Sequence, residues 1–211
     1  MTDRNREPFS SLVLYRFLKW SFIIPVLYSY FRGRVYGAEK IPQDGSFILV
    51  CNHASNLDPP LISVSACRPI SFMAKEELFR VPGFKQLIEG CGAYPVKRDS
   101  SDRTALKAAM KYLKEGWAAG IFLQGTRTDN GKITDPKLGA ALIAAKTKSP
   151  LIPVSIWGTE KLQTNGGILP APITIRFGDT IPYPQSTKKA ELQAVTEHCA
   201  EVINGMHDLG R

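Results

Sequence analysis

Short apolar runs alternate with helical stripes over most of the chain from residue 35 onward. Five of these runs are rich in β-branched and other apolar residues, and each has the length of a buried strand. They cover residues 46–51, 70–74, 120–123, 151–156 and 173–177. Strand-like runs separated by helical segments are typical of an α/β domain. We therefore predict a mixed sheet flanked by helices.

Three segments between and after these runs have the spacing of amphipathic helices. Residues 103–114 form one, which ends before Gly116, and residues 137–148 form a second, Ala-rich one, which ends before Pro150. The third covers residues 187–206. Its apolar stripe consists of Leu192, Val195, Cys199, Val202 and Met206. We expect all three stripes to face the core.

Residues 9–31 form an apolar stretch that contains eight of the 20 aromatic residues of the chain. A transmembrane helix would place Arg16 and Lys19 near the middle of the bilayer, which is costly, and Pro25 would interrupt its hydrogen bonds. Tyr and Trp prefer the headgroup level of a membrane, and Lys and Arg attract anionic lipids. The pattern predicts a pair of short helices, broken at the proline, that lie in the membrane interface.

A helical arm packed on the core of the domain is the alternative for this stretch. A cleavable signal peptide is not indicated, because no small-residue cleavage site follows the apolar run. We predict two parts, a membrane-interface helical segment at residues 1–34 and a catalytic domain at residues 35–211. The predicted location is a membrane surface on the cytoplasmic side.

The basic residues are concentrated in two segments, each with a local charge of +4, out of a formal net charge of +8. One segment is residues 1–35 and the other is residues 97–114. Such a surplus favours anionic partners such as nucleic acid, phospholipid headgroups or phosphorylated substrates. A solvated basic face is the simpler alternative for residues 103–114.

The four cysteines, Cys51, Cys67, Cys91 and Cys199, show no CxxC pair and no histidine at the spacing of zinc ligands. The pattern favours neither a disulfide framework nor a metal site, and a reducing compartment fits it best. We therefore predict no metal and no cofactor.

The strongest chemical signal is the sequence Asn-His-Ala-Ser-Asn-Leu-Asp at residues 52–58, directly after the apolar run FILVC. A strand that ends at His53 can place Asp58 on one imidazole nitrogen and leave the other nitrogen facing a cleft. His53 would then act as a general base, and Asp58 would orient it. A simple turn contact between the two residues is the alternative on spacing alone.

Together with later motifs, this run resembles the glycerolipid acyltransferase family, which includes the lysophosphatidic acid acyltransferases. The family block NHxxxxD matches Asn52, His53 and Asp58. The resemblance implies that His53 activates the glycerol hydroxyl of the acceptor. It also implies that Lys75, in an Ala-Lys-x-Glu-Leu-like stretch, and Arg98, in Gly-Ala-Tyr-Pro-Val-Lys-Arg, contact the acceptor phosphate.

A third block of the family reads Phe-Pro-Glu-Gly-Thr-Arg, where this chain has Phe-Leu-Gln-Gly-Thr-Arg at residues 122–127. Gly125 can adopt backbone angles that other residues avoid, and Arg127 can bind a phosphate through two hydrogen bonds. Gln124 replaces the family glutamate, so it keeps a hydrogen-bonding oxygen without the charge. By resemblance, Gln124, Gly125, Thr126 and Arg127 belong to the acceptor site, and the residues at 152–154, Ile-Pro-Val, match a fourth block.

The resemblance, which covers residues 35–158, implies a 1-acyl-sn-glycerol-3-phosphate acyltransferase that converts lysophosphatidic acid to phosphatidic acid. Acyl-CoA or acyl carrier protein would be the donor. Glycerol 3-phosphate, dihydroxyacetone phosphate and other lysolipids stay open as acceptors. The rival mechanism is covalent, with Ser55 or Thr126 as nucleophile, but neither lies in a nucleophile-elbow sequence.

Two rival functions remain. Gln124 is compatible with a non-catalytic protein of the same fold that binds a lysolipid, and the charge of +8 is compatible with a nucleic-acid-binding module. The second is disfavoured because the chain shows neither a helix-turn-helix pattern nor aromatic residues placed for base stacking. We therefore expect no nucleic-acid partner.

Overall fold

The strands of the computed structural model lie in one large sheet and one small hairpin. Residues 7–96, 102–164, 167–168 and 170–211 are described. The strands are β1 Arg34–Tyr36, β2 Ile48–Cys51, β3 Ile70–Lys75, β4 Tyr94–Val96, β5 Ala118–Phe122, β6 Leu151–Trp157, β7 Gln163–Thr164, β8 Gly167–Ile168 and β9 Thr174–Phe177. Over these ranges, seven strands form the large sheet in the order β1-β9-β6-β2-β5-β3-β4, and β7 pairs with β8.

Six α-helical segments accompany the strands in the described ranges. They are α1 Phe9–Leu18, α2 Asp58–Ser65, α3 Phe84–Gly90, α4 Asp102–Lys114, α5 Gly139–Thr147 and α6 Lys189–Asp208. Single 3-10 turns lie at Ala38–Lys40, Glu76–Arg80 and Thr159–Lys161. The predicted mixed sheet flanked by helices is confirmed, and each of the five predicted strands is present with ends shifted by at most two residues. The predicted division at residue 34 stays a prediction.

The sheet is parallel around β2 and antiparallel near one edge. Strand β2 pairs in parallel with β5 on one side and with β6 on the other, and β3 pairs in parallel with β5 and β4. Strand β9 runs antiparallel to β6. The carboxyl ends of β2, β3, β4, β5 and β6 therefore lie at one edge of the sheet, where open α/β sheets bind their ligands.

Each face of the sheet has its own hydrophobic core. On the first face, Leu49 and Cys51 of β2 pack in a cluster with α2 and with Leu27 and Phe31 of the N-terminal segment. We call this side the arm face, because the N-terminal helical arm, residues 9–30, packs on it. On the opposite face, Ile48 and Val50 belong to a cluster with residues of α4, α5 and α6. Successive residues of a strand point to opposite faces, which explains the split.

The N-terminal segment is one continuous helix from Phe9 to Tyr30, so the predicted break at Pro25 is wrong. Two π-helical turns, Lys19–Ile23 and Val26–Tyr30, flank the proline. In these turns the N–H of Ile24 bonds the carbonyl of Lys19, five residues back, and the wider spacing accommodates a residue that has no N–H. By length and composition, this helix passes the test for a membrane span, as some buried core helices also do.

One side of the helical arm, residues 9–30, packs on the sheet and forms hydrogen bonds with the residues of α2 and the turn after it. The Tyr15 hydroxyl donates to the carbonyl of Ser63 at 2.9 Å, and the Lys19 ammonium donates to the Cys67 sulfur at 3.0 Å. Burial raises the pKa of Tyr15, chiefly by desolvation, so the phenol stays protonated as the donor. The other side leaves large apolar side chains exposed, among them Phe9, Val13, Phe17 and Trp20.

A buried ion pair ties the start of the arm to the base of the sheet. The Arg68 Nε donates to the Glu7 carboxylate at 2.7 Å, and both side chains are fully buried. The Arg68 guanidinium also donates to the carbonyls of Pro42, Gly45 and Gly116. These residues precede β2 and β5, so Arg68 joins the arm to the edge opposite the carboxyl ends of the parallel strands.

Helix α6 fixes the loop that follows β5. The Asn204 side chain bonds both the N–H and the carbonyl of Ile133, at 2.9 and 2.8 Å. Gly131 has a φ of +70°, and a Cβ built at that position would lie 2.5 Å from Nε2 of His207, so only glycine fits beside the buried ring. Burial lowers the pKa of His207, and the nearby carboxylates of Glu160 and Asp208 oppose that effect.

We expect Arg68→Met to lower the free energy of unfolding by about 3–5 kcal/mol, because it leaves the Glu7 carboxylate buried beside an apolar side chain. Urea denaturation would measure the loss. The control is Glu115→Gln, which removes the exposed pair of Lys111 and Glu115 and should change stability by at most about 0.5 kcal/mol. Equal effects of the two substitutions would contradict a structural role for the buried pair.

We expect His207 to make the folded chain less stable at acid pH. Its folded pKa lies below the unfolded value of about 6.5, so the folded state binds fewer protons between the two values. Stability is therefore fully present above about pH 6.5 and falls as the pH drops through the folded pKa. His207→Gln should reduce this slope in urea denaturation at a series of pH values. Identical slopes in the parent and the variant would refute the assignment.

Candidate functional site

The site begins where β2 delivers His53 to the carboxyl edge of the sheet. All four residues of β2 are buried, and the strand is hydrogen-bonded on both sides. Cys51 is the last strand residue, and His53 follows two positions later, so its side chain leaves the sheet on the arm face. The imidazole is mostly covered, with 16% of its side-chain area exposed.

The Asp58 carboxylate holds one nitrogen of this imidazole. Its Oδ2 lies 2.8 Å from Nδ1 of His53, and the Asp58 side chain is fully buried. The same oxygen accepts the backbone N–H groups of Ala54 and Ser55 at 2.7 and 2.8 Å. Asp58 is also the first residue of α2, where the helix dipole favours a negative charge. The arrangement predicted from the NHxxxxD spacing is therefore present in the fold.

Phe122 covers one face of the His53 ring. The two ring centroids are 3.7 Å apart and the planes differ by 12°, so the rings are stacked. Phe72 stacks on Phe122 in turn, with centroids 5.4 Å apart. Gly120 leaves room for the Phe72 ring, since a Cβ built at Gly120 would lie 2.1 Å from that ring. This aromatic row was not predicted, because it depends on the register of β2, β5 and β3 and no local motif encodes that register.

Asn52 fixes the backbone beside the histidine. Its amide nitrogen donates to the carbonyls of Gly131 and Ile156, at 2.7 and 2.8 Å, and its oxygen accepts the Ile156 N–H at 2.9 Å. The side chain is buried, so it joins β2, β6 and the loop after β5 within the protein. The signal in the sequence is a single polar residue directly after an apolar strand, and the NHxxxxD motif contains this residue without indicating its structural role.

The loop after β5 brings the third block next to His53. Gly125 has a φ of +77°, a left-handed conformation that favours glycine, and its N–H bonds the carbonyl of Phe122. The Thr128 N–H donates to the carbonyl of His53 at 2.8 Å. Thr126 and Arg127 lie between these anchors with exposed side chains. Arg127 makes no hydrogen bond or ion pair with any residue in the described ranges, so its guanidinium is available to an anion.

Lys75 lies at the same edge of the sheet. It is the exposed last residue of β3, which is two strands away from β2, a separation of about 10 Å. Arg98, the other predicted phosphate ligand, lies outside the described residues. Strand β4 ends at Val96, two residues before it. The structure thus brings Lys75 and Arg127 to one edge with His53, and their roles in binding stay predictions.

Gln124 supports the loop through its oxygen. Its Oε1 accepts the backbone N–H of Thr134 at 2.8 Å, on the far side of the loop that contains Arg127. Close by, the N–H of Lys137 bonds the carbonyl of Leu123 at 2.7 Å, and Lys137 forms an ion pair with Asp135. Gln124, one of the two positions that differ from the family block, therefore has a structural contact that a glutamate could also make.

The thiol of Cys51, the last residue of β2, is not available for chemistry. Cys51 is fully buried, and desolvation raises its pKa well above the ordinary value, with a further contribution from the charge of Asp58. Its thiol therefore stays protonated at neutral pH and packs as an apolar side chain. Within the described ranges, no group of three or more His, Cys, Asp or Glu residues is placed to hold a metal ion.

The arrangement can perform general-base chemistry next to an anion. With Asp58 on Nδ1, the free position of the imidazole is Nε2, which no described residue hydrogen-bonds. A neutral imidazole can accept a proton there, and the Asp58 carboxylate stabilises the imidazolium that results. Lys75 and Arg127 add positive charge at the same edge, which suits a substrate with a phosphate.

Comparison with known proteins gives matches of both sequence and structure. The family described as Acyltransferase matches residues 32–157. The chain is 35% identical over 126 residues to a 1-acyl-sn-glycerol-3-phosphate acyltransferase of Bacillus subtilis, a match that covers 59% of this chain and 62% of that protein. For the protein of the same name from Streptococcus pneumoniae the identity is 34%, with 74% and 63% covered. These matches span less than two thirds of each relative.

The fold also matches a solved structure. The crystal structure of the 1-acyl-sn-glycerophosphate (LPA) acyltransferase PlsC from Thermotoga maritima superposes with a TM-score of 0.73 and 30% sequence identity. The match covers 94% of this chain and 78% of that one. A family match over more than half of the sequence and a shared fold over nearly all of it agree with each other. This chain belongs to the acyltransferase family.

Proposed function

We propose that this protein is a 1-acyl-sn-glycerol-3-phosphate acyltransferase that transfers a fatty acyl group to the free hydroxyl of lysophosphatidic acid. The observation that carries the proposal is the buried Asp58 carboxylate on Nδ1 of His53, at the edge of the sheet where Arg127 and Lys75 lie. The names of the similar proteins from Bacillus subtilis and Thermotoga maritima support the same reaction.

In the proposed reaction, Nε2 of His53 takes the proton from the acceptor hydroxyl as its oxygen attacks the thioester carbonyl. The new C–O bond gives a tetrahedral intermediate, which collapses as the C–S bond breaks. The thiolate leaves with the electron pair and receives the proton from His53. Neither Ser55, whose buried Oγ accepts the Leu57 N–H, nor the exposed Thr126 hydrogen-bonds His53, which favours this direct route over a covalent one.

The phosphate of the acceptor would be held by cations at the carboxyl edge. Arg127 lies one residue from Thr128, which is bonded to the His53 carbonyl, so a phosphate bound by its guanidinium stays close to the base. Lys75 would add a second charge from β3, and Arg98 a third. Fixing the phosphate at these points orients the hydroxyl toward His53, and such positioning supplies a large share of the rate.

The lipid acceptor and the thioester donor would arrive from different sides. The exposed aromatic side of the helical arm suits the headgroup level of a membrane, where lysophosphatidic acid resides. On the opposite face, Lys107, Lys111 and Lys114 form an exposed basic stripe on α4. Acyl-CoA and acyl carrier protein are both anionic, so this stripe suits either donor. The proposed location is the cytoplasmic surface of a membrane.

His53→Ala should lower thiol release with lysophosphatidic acid and an acyl thioester by about 10²–10⁴-fold, the typical contribution of a general base. Asp58→Asn should also slow the reaction, because it disturbs the tautomer of His53. The control is His198→Ala, which removes an exposed histidine of α6 and should keep full activity. A parent protein that binds lysophosphatidic acid without any thiol release would instead support the non-catalytic alternative.

Two substitutions at Gln124 separate the effect of an added negative charge from the effect of a lost hydrogen bond. Gln124→Glu keeps an acceptor for the Thr134 N–H and adds a negative charge near the phosphate site, so the KM for lysophosphatidic acid should rise by roughly three- to tenfold, equivalent to about 1 kcal/mol. Gln124→Ala loses that bond without adding charge and should lower stability by about 1 kcal/mol. An unchanged KM in Gln124→Glu would show that the charge at this position does not affect acceptor binding.

A further inference from the structure

A second apolar feature lies at the carboxyl end of β3. The 3-10 turn Glu76–Arg80 exposes Leu78, and the residues directly after it, Val81 and Pro82, are exposed as well; Leu78 and Val81 are 40% and 50% accessible. Gly83 follows with a φ of +78°, and no heavy atom lies within 4 Å of a Cβ built on it. We call residues 78–83 the apolar tip. Single exposed apolar residues are ordinary on a protein surface, so their exposure alone does not indicate a binding role. The position of the tip in the fold is the informative observation.

The tip lies at the same edge of the sheet as His53. Strand β3 runs parallel to β5, which runs parallel to β2, so all three end at that edge. Phe72 of β3 is the outer ring of the aromatic row that covers His53, and the tip begins six residues later. The catalytic imidazole therefore has the tip on its β3 side.

The tip also lies on the face of the sheet that the arm covers. Helix α3 follows the tip and ends against α1, where a Cβ at Gly90 would lie 2.4 Å from Leu14. Because α3 has seven residues, its first turn lies roughly 10 Å from that contact. The last turns of the arm reach the same edge, since the Phe31 carbonyl accepts the N–H of Ile173, directly before β9. Arm and tip thus flank His53 on one face.

We infer that the apolar tip enters the same membrane leaflet as the arm and that the lipid acceptor reaches His53 between the two. This inference rests on the proposed function, which requires an acceptor that resides in a membrane. The observations behind the inference are that the tip lies at the same edge of the sheet as the end of the arm and on the same face, and that both expose apolar side chains. Charge does not contribute, because Glu76 and Glu77 offset Lys75 and Arg80 in the same stretch.

Binding to vesicles of phosphatidylcholine and phosphatidylglycerol tests the inference without any turnover. Val81→Asp combined with Leu78→Asp should weaken co-sedimentation with these vesicles by about tenfold or more, since two charges would have to enter the interface. The control is Leu209→Asp, which changes an equally apolar side chain, 68% exposed, at the end of α6 on the opposite face. Equal vesicle binding of the tip variant and the parent would overturn the inference.

A second measurement locates the tip even if the aspartate variants fold poorly. Val81→Trp in a Trp20→Phe background adds a reporter at the tip after the exposed tryptophan of the arm has been removed. Vesicles with brominated acyl chains should quench its emission beyond the level found for Trp20→Phe alone, in which Trp117 and Trp157 remain. Absence of additional quenching would place the tip in water and refute the inference.

Activity assays then distinguish a failure of the inference from a failure of the proposed function. With lysophosphatidic acid in vesicles, the tip variant should lose at least about tenfold in kcat/KM, in line with its weaker binding. With a water-soluble short-chain acceptor, it should match the parent, because neither Leu78 nor Val81 is among the residues to which we assign the proton transfer or the phosphate. Equal losses with both acceptors would contradict a membrane role for the tip. A parent without turnover would refute the proposed function and leave the vesicle result valid.

Discussion

The hydrogen bond between Asp58 and His53 is the constraint on which the site depends. A fully buried carboxylate is costly unless hydrogen bonds satisfy it, and here the N–H groups of Ala54 and Ser55 and the imidazole meet on Oδ2. These bonds also fold residues 53–58 into a tight turn at the start of α2. The charge that orients the His53 imidazole is therefore stabilised by the same turn that brings this ring to the edge of the sheet.

The sequence predicted the parts of the fold in which a periodic pattern reflects burial. Strand β2 was predictable because both of its faces are covered, which requires a continuous apolar run. The strand ends shifted by one or two residues, because flanking residues such as Ser46 follow no periodic pattern. The predicted helix break at Pro25 was wrong, since the π-helical turns on either side accommodate a proline that α-helical spacing would not.

The candidate site was predictable only as far as short-range spacing encodes it. Five residues separate His53 from Asp58, and that spacing was enough to predict their contact. The stacking of Phe122 on His53 joins two strands whose sequences are about 70 residues apart, and the salt bridge between Glu7 and Arg68 spans 61 residues. Contacts of this kind follow from strand register and packing, which a single sequence does not display.

In the proposed function, the separation of the two sheet faces determines how two unlike substrates would meet. A lipid must stay in an apolar phase until its hydroxyl reaches the base, whereas a thioester carrier is soluble and anionic. The aromatic arm and the basic stripe on α4 lie on opposite faces, and the carboxyl edge is where the two faces join. His53 leaves the sheet on the arm face and is stacked on Phe122, so the proposed base lies on the side from which the lipid acceptor would arrive. If the donor binds on the basic stripe, as we propose, its thioester carbonyl has to cross the carboxyl edge to reach His53, so the acyl transfer would take place where the two faces join.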